Sequence, residues 1–192
     1  MSIQINGNGT ITGISVGGLP DGIVDTDMIA NNAVTNAKAT GIAGGKVLQV
    51  VQNLTYSRAE VNSSTFTATH STISITPTAA NSKILYSFNG DCNQNGDTYY
   101  MYLTVYRNIA GAGWVENAPN GGTSGFGFTR NGDSEARQEV PYNILYLDSP
   151  SYSVGQTIEY KLYIKNGGAG TVELPCSPSR EPAIAMAQEI AA

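Results

Sequence analysis

The first 45 residues contain no Phe, Tyr or Trp, while all 4 Phe, 11 Tyr and the single Trp of the chain lie beyond them. A segment without large rings cannot bury a core of its own. It nevertheless carries a regular apolar series, Ile3, Ile5, Ile11, Ile14, Val16, Ile23, Val24, Met28, Ile29 and Val34, threaded with Gly and Asn, which is not how a solvated tail is written. Something outside the segment must cover those side chains, and the simplest cover is another copy of the same strip, so that chains wrapped together share one core. The pattern predicts an oligomeric stalk over residues 1–45 that leads into a globular head over 46–192. Ile3, Ile5, Ile11, Ile14, Val24, Met28, Ile29 and Val34 are the candidate trimer and attachment residues.

Charge supports that division of labour. Only 13% of the 192 residues are charged, about half the usual ~25%, so surface is being given over to contacts between chains. The net charge of -5 and the scattered Lys and Arg form no basic stripe, which argues against nucleic acid as a partner. No apolar run approaches the ~20 residues that cross a bilayer, and the opening residues lack the basic and apolar regions of a leader, so no membrane insertion is expected. Cys92 and Cys176 are far apart with no CxxC pair, and two unbridged, partly buried thiols are the default expectation.

Within the first segment, Gly7, Gly9, Gly13, Gly17 and Gly18 interrupt a loose alternation, which predicts short strands. Asp25 or Thr26 can cap a helical turn carrying Met28 and Ile29, and Thr35 a second one. The GIAGG run at 41–45 is a joint. Beyond it the period becomes two, with candidate strands over 46–52, 64–69, 72–76, 83–89, 98–107, 138–147, 157–165 and 183–190. Polar turn clusters at 93–97, 120–122, 131–133 and 166–168 separate them. The expected class is mainly β, an antiparallel β-sandwich head of jelly-roll type without a long helix.

Two strands declare their faces. Ile158, Tyr160, Leu162 and Ile164 point one way and Thr157, Glu159, Lys161, Tyr163 and Lys165 the other, which makes one face wet. In 98–107 the apolar row Tyr99, Met101, Leu103 and Val105 opposes Tyr100, Tyr102, Thr104 and Tyr106. Rings with polar tips suit an interface, so Tyr100, Tyr102 and Tyr106, or the C-terminal strand, are the candidate subunit contacts.

Motifs for chemistry are weak. The glycines at 41–45 miss the phosphate-loop spacing, since Thr40 and Val47 stand where Gly and Ser or Thr are needed. Asp91, Asn93 and Asn95 open like a calcium loop, but Tyr102 occupies the place of the bidentate Glu, and a polar hairpin loop is the plainer reading. His70 is the only histidine and has no spaced partner, as suits a surface or interface residue. Asp133, Glu135, Glu139, Glu159 and Glu173 are available as paired carboxylates for glycan cleavage, with solvated loop acids as the competing description. No metal, cofactor or catalytic residue is assigned. Trp114, Asn117, Asn120, Phe126, Phe128 and Arg130 could form a sugar-contacting loop surface, or simply anchor loops to the sandwich edge.

The run NGNGTITGIS from Asn6 and the run from Gly18 to Lys38, GLPDGIVDTDMIANNAVTNAK, resemble stalk segments of bacteriophage tail-fibre-like proteins. SITPT at 74–78, SKIL at 82–85, YLDSP at 146–150 and the closing residues 184–192 are similar to the β-rich heads of such fibres, notably in phages of aquatic bacteria. The resemblance implies a homotrimeric, non-enzymatic virion protein whose N-terminal segment mounts on other virion proteins and whose head meets a host-surface glycan or protein. A capsid or neck fibre that binds no receptor is the alternative, and a glycan-cleaving spike the third reading.

Overall fold

The computed structural model describes strand residues 4–5 and 11–12, then residues 46–95, 100–119, 124–130, 138–175 and 182–192. The chain divides into two compact units, Met1–Ala43 and Gly44–Ala192. In the first, β1 (Gln4–Ile5) pairs antiparallel with β2 (Ile11–Thr12), setting Ile5 opposite Ile11. Ile3, Ile14, Val24, Met28, Ile29 and Val34, with both expected helical turns, lie outside the described residues.

The second unit is built from strands: β3 (Val47–Thr55), β4 (Ala59–Val61), β5 (Thr67–Ile75), β6 (Lys83–Asn95), β7 (Tyr100–Ile109), β8 (Val115–Glu116), β9 (Gly127–Arg130), β10 (Gln138–Asp148), β11 (Ile158–Asn166), β12 (Thr171–Leu174) and β13 (Ala183–Ile190). They form two sheets whose named strands pair antiparallel throughout. The six-stranded sheet runs β3-β13-β6-β12-β4, with β10 along the other edge of β6. The five-stranded sheet runs β5-β11-β7, after which β8 and β9 share the outer edge of β7.

Period-two patterning explains the core. The residues at 158, 160, 162 and 164 are fully buried, as expected from their parity, and stand opposite Leu103, Val105 and Ile73 of the same sheet. The six-stranded sheet answers with Ile84, Tyr86, Phe88, Ile144, Ala183, Ala185 and Ala187 in one continuous cluster. Each large side chain withdrawn from water contributes about 1.5–3 kcal/mol, which is why these alternations specify the register. Tyr86 and Tyr160 lie ring to ring at 4.5 Å.

Three expectations are corrected. Residues 64–69 and 72–76 do not form two strands: β5 runs unbroken from Thr67 through His70 to Ile75. Its register against β11 slips between Lys161 and Tyr163, and the hydroxyls of Thr69 and Thr72 donate to the Leu162 and Tyr160 carbonyls at 2.7 and 3.0 Å, so a polar run with an irregular ladder is still a strand. Asn93 and Asn95 are strand residues and not part of a hairpin loop. Their amides donate to Glu173 on β12 at 2.8 and 3.1 Å, which satisfies polar side chains inside the ladder. Phe128 and Arg130 belong to β9 and not to a loop, because Gly127–Arg130 pairs with Tyr100–Leu103.

The chain returns to β7 through Gly125, whose φ is +59°. A Cβ at that position would fall on the Leu103 carbonyl oxygen and 2.6 Å from Thr104 Cβ. Only a bare backbone approaches that closely, and the approach delivers Phe126 to Tyr86 and Tyr146, with ring centroids 6.3 and 5.4 Å away. Gly125→Ala should therefore lower stability by about 2 kcal/mol, measured as a shift in the urea midpoint at constant slope.

Candidate functional site

The outward face of the five-stranded sheet gathers side chains that the sequence presents separately. Parity along β7 puts Tyr100, Tyr102, Thr104 and Tyr106 outward, and β11 sets Lys165 opposite Tyr102 and Lys161 opposite Tyr106. β9 sets Phe128 opposite Tyr102 and Arg130 opposite Tyr100. The subunit-contact candidates and the loop candidates Phe128 and Arg130 thus lie along one sheet.

Two ring clusters result. In the first, Tyr100 stacks with Tyr102 at 6.0 Å, and Phe128 sits edge-on to Tyr100 at 5.5 Å and tilted to Tyr102 at 5.8 Å. The Lys165 ammonium lies 4.5 Å from the Phe66 ring centroid and 4.9 Å from that of Tyr102, and the Arg130 guanidinium 5.7 Å from Tyr100. In the second, Tyr106 and Tyr163 stack at 4.0 Å with Trp114 at 6.4 Å, and Lys161 lies 4.8 Å from the Trp114 ring. Burial lifts the Tyr106 and Tyr163 phenols above their ordinary value, and the Glu116 carboxylate adds to the effect at Tyr106. Both stay neutral hydrogen-bonding groups at ordinary pH.

Not every one of these positions is open to solvent. Thr104 is fully buried and donates its hydroxyl to Glu116 at 2.8 Å. Phe126 packs on the core. Asn117 binds the Val105 carbonyl through its backbone N–H at 2.8 Å and points its amide at the Tyr86 hydroxyl, 3.3 Å away, which is the work of a loop anchor. Asn120 lies outside the described residues. His70 is exposed on β5. Among the acids, Glu173 is held by Arg58, Asn93 and Asn95, and Glu159 accepts from Asn108 at 3.1 Å, while Asp133 and Glu135 lie outside the described residues.

The six-stranded sheet has an outward face of a different kind. Three rows cross β3, β13, β6 and β10 on it: Leu54, Ile184, Asn89, Asn143; then Gln52, Met186, Ser87, Leu145; then Val50, Gln188, Leu85, Leu147. Val50, Leu54, Leu145 and Leu147 are between 44% and 63% exposed, and Val47 is exposed beside them. The charged residues sharing this face among the described residues stand at its ends, Lys83 at one and Asp91, Glu139, Glu173 and Glu60 at the other.

No protein-family model matches the chain, and no curated protein does. The chemistry of these two faces therefore carries the functional argument. Sequence reasoning passed over Phe66, an isolated ring in a Ser and Thr rich run, and treated Lys161, Tyr163 and Lys165 as merely wet. The available signal was the outward parity of β11, which alternates Lys with Tyr beside the tyrosine row of β7. It also passed over the outward row of β13, where Ile184, Met186 and Ile190 face away from the core while Ala183, Ala185 and Ala187 face it.

Proposed function

We propose that the chain is a homotrimeric virion fibre protein, mounted through its N-terminal unit on other virion proteins, with a jelly-roll-like sandwich head whose outer surface meets the host. The uncovered apolar face of the six-stranded sheet carries this reading. The three rows cross four strands about 4.8 Å apart over about five residues at about 3.3 Å each, roughly 300 Å² in which Asn, Gln and Ser stand among the apolar side chains, the size of the largest patch a monomer commonly exposes and often a functional one. Charges close to a symmetry axis face their own copies, and the three central rows hold no charge. Such a face suits closure by further copies of itself, with the C-terminal strand at the contact. The sandwich assignment draws on strand order: β6 lies between β13 and β10, β11 lies between β5 and β7, and both sheets feed one core.

In this arrangement the apolar sheet turns inward and the ring-bearing sheet outward. Light scattering on the full chain is expected to give three times the chain mass. Leu145→Asp, at the exposed centre of the face, is expected to give the single-chain mass with unchanged far-ultraviolet dichroism. A trimer that survives this substitution moves the interface elsewhere, and a monomeric unsubstituted chain overturns the reading. Labelled antibody on intact particles separates a tail position from a capsid or neck position.

A further inference from the structure

The cluster formed by Phe66, Tyr100, Tyr102, Phe128, Lys165 and Arg130 combines open ring surface with cations in a chain whose net charge is -5. Phe128 is 55% exposed although it belongs to a paired strand, and Arg130 is exposed beside it. Hydrophobic burial accounts for neither. The rings are also held in place before any ligand arrives. The backbone N–H of Gly167 donates to the Tyr100 carbonyl at 2.8 Å, and a Cβ on Gly167 would stand 2.6 Å from Tyr102 Cε2 and 2.9 Å from Tyr100 Cβ, so both tyrosines lie directly against the turn after β11. Asn166 fixes that turn, accepting from Gly168 N at 2.9 Å and donating to the Gly170 carbonyl at 2.7 Å.

We infer that this platform binds an anionic carbohydrate chain, with sugar rings lying on Phe128 and Tyr102 and their carboxylates met by Lys165 and Arg130. Sugar rings present C–H faces that suit aromatic surface, and hydroxyls that suit the hydroxyl tips of tyrosines. Lys165 lies between two rings, where a partly desolvated ammonium attracts an anion more strongly than one in open water, and Arg130 offers a planar fork that matches a carboxylate. Single-stranded nucleic acid also uses rings and cations, but it requires a basic track along its backbone, and two cations in an acidic chain do not make one. The other acids of this sheet face, Glu116 and Glu159, belong to the second cluster, opposite Tyr106 and bonded to Asn108. The inference rests on the proposal that this sheet faces outward from the trimer.

Affinity electrophoresis of the full chain through gels containing polyuronate, neutral dextran or no polymer tests it, with native mass measured on the same samples. Polyuronate is expected to retard the chain, dextran to leave its mobility unchanged, and added salt to weaken the retardation. Phe128→Ala and Lys165→Gln should each weaken polyuronate binding about tenfold without changing the mass, and Lys165→Arg should retain most of it. A correctly assembled trimer that ignores polyuronate, that is retarded equally by dextran, or that binds oligothymidylate instead overturns the inference and leaves the fibre reading standing. A monomer that still binds polyuronate supports the platform and overturns the trimer.

Discussion

Asp148→Ala is expected to cost the head about 3 kcal/mol. Asp148 closes β10 opposite Ile84 of the six-stranded sheet, yet its carboxylate serves the other sheet. Nη1 of Arg107 donates to both of its oxygens at 2.8 and 2.7 Å, and the Tyr160 hydroxyl donates to Oδ2 at 2.7 Å. Arg107 and Tyr160 face each other across β7 and β11, so one carboxylate ties the two sheets together at this end of the core. Its side chain is 6% exposed and that of Arg107 24%. Burial first, and then the Asp148 charge, push the Tyr160 and Tyr86 phenols far above their ordinary range, so Tyr160 remains a donor at any working pH.

Truncation to Ala strands a guanidinium and a buried hydroxyl. Breaking a buried pair by removing one partner costs about 3–5 kcal/mol, and the lower end applies here because Arg107 keeps some access to water. Asp148→Asn preserves an acceptor for Tyr160 and should cost about half as much, while Tyr160→Phe removes one hydrogen bond and should cost about 1 kcal/mol. Urea unfolding of the three variants, read at unchanged slope, measures the order. Equal losses for Asp148→Ala and Tyr160→Phe would show that the ion pair adds nothing to the hydroxyl's bond.

That carboxylate also marks where sequence reading stops. Parity made β11 legible, because Ile158 to Ile164 alternate with polar residues without interruption, and β13 was legible in extent from its flanks. The same parity places Arg107 on the inward row after Met101, Leu103 and Val105, and Asp148 on the inward row of β10 after Tyr142, Ile144 and Tyr146. Two opposite charges at inward positions on different strands were a readable signal for a pair, but only to a reader who trusted the pattern past its apolar stretch. The short strands β4, β8, β9 and β12, each two to four residues long, carry too few residues for any period to show. They exist because long neighbours offer an edge. β6 continues through Cys92, Asn93, Gln94 and Asn95 for the same kind of reason: β10 and β12 supply its backbone partners, Glu173 takes the amides of Asn93 and Asn95, and the Thr129 carbonyl takes that of Gln94.

The two outer faces were half legible. The tyrosine row of β7 is visible in sequence, but its joining to Lys165 and Arg130 depends on the register of β11 and β9. The apolar outer face needs four strands laid side by side before Val50, Leu85, Leu145 and Met186 become neighbours. No single strand shows it.

Glu189 yields the second large effect and the one that depends on pH. Its side chain is fully buried on the inward row of β13, below the outward apolar row proposed for the trimer contact. The carboxylate receives the Thr78 N–H at 3.0 Å on both oxygens, the Ala79 N–H at 3.0 Å, the Ser82 hydroxyl at 2.8 Å, the Thr78 hydroxyl at 3.1 Å and the Gln49 amide at 2.7 Å. One side chain therefore holds Thr78, Ala79 and Ser82 of the connection between β5 and β6. Burial alone would raise its pKa, but the Gln49, Thr78, Ala79 and Ser82 hydrogen bonds outweigh it and bring the value down from 4.5 to about 2. A carboxyl whose pKa is depressed by folding contributes its full stability above the unfolded value and loses it as pH falls toward the folded one. The depression corresponds to about 3 kcal/mol, complete above pH 4.5 and gone near pH 2. Glu189→Gln replaces an acceptor of many bonds with an amide whose own donors face donors, and is expected to lose about 3 kcal/mol at pH 7. Other carboxylates titrate in both proteins, so the decisive quantity is the difference in unfolding free energy between the two, followed from pH 7 to pH 2.5. It should stay constant down to about pH 4.5 and then shrink steadily. A difference that holds its size to pH 2.5 would mean that Glu189 acts through shape and not through charge.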